Sequence, residues 1–198
     1  MSVVLLFVSQ SYFRLFLEIT KMTNWVWYES ELPDGVRETN TGRLENEESG
    51  RIVYLCDGAY RNVDGRRYAG YGIFGGPNFY EYQVDDSNWP TNNTAELKGV
   101  LNALEHAFDN QELTFVEVLT DSEYATKSLN NYIYKWRTNN WKTVHDYPVA
   151  NQALIEKCME YVDNYNVEVR WIPRQQNRIA DKLAKLARDG ETGYLSNW

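Results

Sequence analysis

IVYLCD, residues 52–57, is a short run of apolar, β-branched and aromatic residues that stops at an acid. A run of that composition and length reads as a buried strand. YAGYGIF (68–74) and NFYEYQV (78–84) come after it, separated by the turn formers Gly75-Gly76-Pro77-Asn78, and the three together predict an antiparallel meander. Beyond them Asn93-Thr94 opens a predicted helix in which Leu97, Val100, Leu101, Leu104 and Phe108 recur at three- and four-residue spacing. TFVEVLTD (114–121) alternates like a strand and stops at a second acid. A polar, Trp-rich helical stretch comes next, then a helix around Ala150–Val162, the strand VEVRWI, a break at Pro173, and a last helix with Ile179, Leu183 and Leu186 on one face. The predicted order is β-β-β-α-β-α-α-β-α, an α/β chain whose mixed sheet carries packed helices.

Outside this block the texture changes. Val3–Val8 is an apolar run of six residues, and Arg14 and Glu18 interrupt the hydrophobic stretch after it. That falls short of the ~20 residues a membrane-spanning helix needs, and no basic residue precedes the run as a secretory signal would require. Residues 1–22 are therefore expected as a hydrophobic leader, with a transit peptide, a non-native extension or a disordered segment all open, and with Met22 available as a second start. Residues 24–50 hold seven acids and two bases together with Pro33-Asp34-Gly35, so 23–50 is expected as a flexible acidic linker. Residues 51–190 form the expected folded domain, the part that carries any activity, and 191–198 a tail.

The net charge of −8 argues against a protein held on nucleic acid by overall charge. Local basic stretches remain. Tyr124–His145 contains Lys127, Lys135, Arg137 and Lys142 and no acid, and between Arg170 and Arg188 six bases face only Asp181. The two cysteines, Cys56 and Cys158, read as free buried thiols of a reducing compartment. An intracellular protein of nucleus or cytoplasm is expected, or of the mitochondrion if the leader targets it there, as a monomer without a membrane partner.

Asp57 and Asp121 both stand where a predicted strand stops, and strands that pair lie ~4.8 Å apart. Glu96 and Asp181 fall in the first turns of two predicted helices. Four carboxylates converging on one sheet edge would need cations to neutralise them, and an all-oxygen donor set suits Mg²⁺ or Mn²⁺. Taken singly, each acid reads more readily as a solvated turn or helix cap. Their contexts say more: VYLCDGAY (53–60), TNNTAELKGV (91–100), LTDSEYATKSL (119–129) and NRIADKLAKLA (177–187) resemble, in order, the four motif blocks of type 1 ribonuclease H, and KWRTNNWKT (135–143) is similar to that family's basic handle.

The resemblance implies a ribonuclease H-like fold with a five-stranded sheet, three antiparallel strands and then two parallel, flanked by helices. It implies an endonuclease cutting the RNA strand of RNA/DNA hybrids by a two-metal-ion mechanism, with Asp57, Glu96, Asp121 and Asp181 as catalytic metal ligands and two Mg²⁺ that Mn²⁺ can replace. Gly58, Thr91, Asn92, Asn93, Trp136 and Asn151 match positions that meet substrate. Asn92 and Asn93 would face the minor groove, Trp136 a deoxyribose, and Thr91 and Asn151 a DNA phosphate; the plainer readings are Asn93 as a helix cap and the Trp-rich stretch as an amphipathic, solvated helix face with Trp141 as its packing residue. Many relatives carry a histidine in the loop before the last helix; here that loop is WIPRQQNRIAD (171–181), and His106 and His145 lie elsewhere. The chain is thus similar to the histidine-lacking variant, for which a slower enzyme is expected. A catalytically weak or inactive hybrid-binding module is the alternative. No carboxylate is missing to favour it.

Overall fold

In the computed structural model, which describes residues 31–111 and 113–197, strand β3 (Ile52–Val63) separates two cores. Its side chains alternate between faces, as a strand dictates. Tyr54 and Cys56 enter one core with Leu97, Val100 and Leu104 of helix α1 (Asn92–Glu105). Val53 and Leu55 enter the other with Ile179, Leu183 and Ala187 of the last helix, Arg178–Arg188. All four strand residues are fully buried, and each is worth roughly 1.5–3 kcal/mol. A one-residue slip would exchange the faces, so the register is firmly set.

Strand β4 (Arg66–Gly76) pairs antiparallel with β3, and β5 (Phe79–Val84) with β4. On the opposite edge of β3 lies β6 (Phe115–Thr120), parallel, and beyond it β7 (Asn166–Trp171), also parallel. Helices α2 (Glu123–Lys127), α3 (Ile133–Thr138) and α4 (Gln152–Asn164) fill the connection between β6 and β7, and Arg178–Arg188 is α5. These five strands are the ones the sequence predicts.

The sheet has eight strands rather than five. Residues 31–50, expected as part of a flexible linker, instead form the hairpin β1 (Val36–Glu38) and β2 (Leu44–Asn46), and β2 pairs with β3 where β4 leaves off. The reason is three well-placed residues. Val36 and Leu44 bury in the α5-side core, and Asn46 Nδ2 donates to Glu117 Oε2 at 2.7 Å, deep in the sheet. Among the described acids that suggested a linker, Asp34, Glu47 and Glu48 occupy exposed turns. Likewise the expected tail supplies β8 (Gly193–Ser196), antiparallel to β5. The expected leader and Trp25, Trp27 and Tyr28 lie outside the described residues. Among the described residues no helix is long and apolar enough to cross a membrane.

Two sequence expectations shift in detail. Strand β3 does not stop at Asp57 but runs six residues past it, paired with β4; what stops beside Asp57 is the neighbour β6. Helix α1 starts one residue early, at Asn92, because Thr91 is its cap: Thr91 Oγ1 accepts from Thr94 N at 3.1 Å, and Thr94 Oγ1 accepts from Thr91 N at 2.8 Å. His106 is structural, buried with Nδ1 2.9 Å from Tyr54 Oη and its ring stacked on Phe79. Cys56 and Cys158 are free and buried.

Gly58 and Gly72 decide how close the helices come. A Cβ on Gly58 would overlap the backbone of Ala95 and Glu96 in α1, and one on Gly72 would collide with Ala184 and Leu183 in α5. Gly72 stands opposite Asp57 in the β3–β4 register. Neither neighbour is a flexible chain end, so the helix itself would have to move. Gly58→Ala is expected to cost about 2–3 kcal/mol, lowering Tm by roughly 5–10 °C, which thermal unfolding checks.

Candidate active site

The last parallel pair between β3 and β6 is Leu55↔Leu119. Two residues further along each strand, where β6 has ended, stand Asp57 and Asp121. Gly58 brings the start of α1 down onto this point, and with it Glu96. Helix α5 packs across β3 and β4 from the other face and brings Asp181. The four acids are thus gathered at one end of the sheet, and the charges of the other three all bear on Asp57.

Their surroundings differ. Asp57 is 2% exposed; its Oδ1 accepts from Gly58 N at 2.8 Å, while Oδ2 is buried without a hydrogen-bond partner. Glu96 is 7% exposed; its Oε1 accepts from Asn92 Nδ2 at 3.0 Å, and Oε2 is again buried and unpartnered. Asp121 Oδ1 accepts from Asn177 Nδ2 at 2.8 Å, and its Oδ2 is 3.8 Å from the Arg174 guanidinium. Both oxygens of Asp181 are taken by cations, Oδ1 by Arg174 at 2.5 Å and Oδ2 by Lys185 at 2.6 Å.

Burial first, then the charges of Glu96, Asp121 and Asp181, push the Asp57 carboxyl up to about 9. Burial and the charge of Asp121 push Glu96 up to about 7. Unpaired buried carboxylate oxygens cost free energy unless a cation meets them. Among the described residues no three acid, imidazole or thiol groups stand close enough to make a finished metal cage. The donor set nevertheless fits a hard divalent cation: Asp57 Oδ2 and Glu96 Oε2 are carboxylate oxygens with no other partner.

Two residues here escaped the sequence reading. Asn177, fully buried, donates to both Cys56 O (3.0 Å) and Asp121 Oδ1 (2.8 Å) and so fixes Asp121 against β3. Arg174 reaches Asp181 and Asp121 together. Both sit in the loop 171–181, which stands out in the sequence only for lacking a histidine. A polar amide just ahead of a predicted helix was the available signal.

The candidate substrate residues fall into two groups. Thr91, Asn92 and Asn93 open α1 beside Glu96; Asn93 is exposed, Thr91 caps the helix and Asn92 holds Glu96. Gly58 serves as the contact between β3 and α1. The second group lies on α3 and at the start of α4. Trp136 is half-buried with its ring stacked on Trp141 (centroids 5.9 Å apart) and tilted against Tyr132. Asn151 adopts a left-handed φ of 61° and donates from Nδ2 to Tyr124 Oη at 3.1 Å. The neighbouring cations are mostly engaged, Arg137 with Asp163 and Lys142 with Asp146, which leaves Lys135 as the one handle cation without an acid partner among the described residues.

The family model for RNase H matches residues 49–189. A ribonuclease H of Anaeromyxobacter sp. is 35% identical over 124 residues, 61% of this chain and 64% of that protein, so the chain spans less than two thirds of its length. A ribonuclease H of Anaeromyxobacter dehalogenans is 34% identical over 157 residues, covering 72% of this chain and 82% of that protein. Among solved structures, a type 1 RNase H with the type 2 active-site motif superposes with a TM-score of 0.57 at 21% identity, covering 73% of this chain and 76% of that one. That likeness concerns the fold.

Because the folded chain holds the protons of Asp57 and Glu96 above the usual carboxylate range, these two groups give the metal-free protein a stability that is fully present below about pH 4. That contribution is lost as pH rises through about 7 and on to about 9. Asp57→Asn removes the larger part of that loss. In EDTA at pH 8 the variant is expected to gain about 1–3 kcal/mol over the parent chain, with a flatter Tm-against-pH profile by calorimetry. An unchanged profile would show that Asp57 is solvated.

Proposed function

Given that the chain belongs to the ribonuclease H family, we propose that it is an endonuclease that hydrolyses the RNA strand of RNA/DNA hybrids and leaves 5′-phosphate ends. The observation that carries this reading is the pair of buried, unpartnered oxygens Asp57 Oδ2 and Glu96 Oε2 within one cluster of acids, for which a hard divalent cation is the fitting partner. Asp57, Glu96, Asp121 and Asp181 are the proposed metal-holding catalytic acids. Two divalent cations, Mg²⁺ with Mn²⁺ as a substitute, would when bound polarise the attacking water and neutralise charge on the leaving oxygen.

The protein's own part is placement. Asn92 holds Oε1 of Glu96, and Asn177 keeps Asp121 on β3. The amides of Asn92 and Asn93 can both donate and accept, as a 2′-hydroxyl demands. Trp136, backed by Trp141, offers a flat apolar surface to a deoxyribose. Thr91 and Asn151 supply polar groups to a DNA phosphate. The loop 171–181 holds no histidine, so turnover is slower than in relatives that carry one. A monomer in a reducing, intracellular compartment fits the free buried cysteines.

Two outcomes are expected. An end-labelled 20-mer tested as RNA/DNA, RNA/RNA and DNA/DNA with Mg²⁺, Mn²⁺ or EDTA is cut only in the RNA strand of the hybrid, only with metal, and not by Asp57→Asn. Hybrid that binds but is cut no faster than by that variant would make the chain a binding module instead. Since Arg137 and Lys142 must leave acids to meet phosphate, affinity for hybrid is weak and drops steeply between about 50 and 200 mM salt. A dissociation constant flat over that range, by fluorescence anisotropy, would contradict it.

A further inference from the structure

The four proposed metal-holding acids are not equally available. Asp57 Oδ2 and Glu96 Oε2 are buried and unpartnered, whereas Asp181 has one oxygen on Arg174 and the other on Lys185. Arg174 also lies 3.8 Å from Asp121 Oδ2. Its own side chain is 65% exposed while that of Asp181 is 16% exposed, so the guanidinium approaches the cluster from the solvent side, the side from which a phosphodiester would come. Ion pairs with an exposed partner are weak, because water and salt screen them. They can be exchanged for a divalent ion, unlike a buried pair.

We propose that Arg174 is a displaceable counter-cation. It occupies Asp181 and competes there with the second divalent ion, and on displacement its guanidinium turns to the substrate phosphate, which it can bind in a bidentate fashion. This rests on the hydrolytic reading of the site. It divides the four acids into a high-affinity part, Asp57 with Glu96, and a low-affinity part that includes Asp181. It also gives the loop 171–181 a task in the absence of a histidine: keeping Asp181 oriented and the cluster partly neutralised until metal and substrate arrive. Lys185 holds its oxygen from within the same helix, four residues on, and so steadies Asp181 without reaching Asp121.

Removing the Arg174 side chain should have two opposed effects. In Arg174→Ala the weaker of two Mg²⁺ binding steps, measured by calorimetry with MgCl₂ on the full chain without substrate, tightens about two- to tenfold while the stronger step stays put. The KM for hybrid at saturating Mg²⁺ rises in the same variant. Arg174→Lys, which keeps a charge and loses the fork, stays close to the parent in metal binding and close to Arg174→Ala in KM. In an Asp181→Asn background the effect of Arg174→Ala on metal binding vanishes. Mg²⁺ binding that is unchanged or weaker in Arg174→Ala overturns the proposal and leaves the hydrolytic reading intact. A parent chain that binds no divalent ion overturns both.

Discussion

A cluster of four acids brought together at one end of the sheet is the constraint around which the structure is organised. Asp57 comes from strand β3, Asp121 from the residue just past β6, and Glu96 and Asp181 from two helices, and a carboxyl group as buried as Asp57 is tolerated only because everything around it is pinned. Pinning comes first from β3. Its alternating side chains are buried on both faces, so it can neither slip nor tilt without emptying one of two cores. Glycine then admits the helices. Gly58 lets α1 lie against the strand at the residue after Asp57, and Gly72, opposite Asp57, does the same for α5.

Such an arrangement stores unfavourable free energy in the folded protein where a divalent ion can release it. Two oxygens are left without partners, and two carboxyl groups hold their protons well into the neutral and alkaline range. Asn92 and Asn177 show the complementary tactic. Each satisfies one oxygen of an acid and leaves the other to face the cluster or an exchangeable cation, which orients a ligand without consuming it. Arg174 and Lys185 go further and take both oxygens of Asp181.

Charge elsewhere is largely neutralised locally. Arg170 meets buried Glu117, Lys182 meets Glu31, and the handle's Arg137 and Lys142 each have an acid at hand. The basic stretches visible along the chain therefore offer phosphate less positive potential than their composition suggests, in keeping with the chain's acidic balance.

Local pattern alone determined the five central strands and the long helices, since the continuous apolar run of IVYLC reflects burial on both faces of a strand, the alternation in VEVL its two-residue period, and the three-to-four spacing from Leu97 to Leu104 burial on one helix face. Position at the end of a strand or the start of a helix said little about the four acids; the resemblance of the residues around them to the family's motif blocks singled them out. What local pattern missed depends on partners distant in the chain. Residues 36–46 read as linker because their burial rests on only Val36 and Leu44 and on Asn46 reaching Glu117, 71 residues away. The short strand after Gly193 is a strand only because β5 offers it an edge. Asn177 and Arg174 carry no periodic signal, and their importance lies in what they touch across the sheet. Tertiary structure alone decided which carboxylate oxygens stand free and which are already held, because that depends on the direction from which each neighbour arrives.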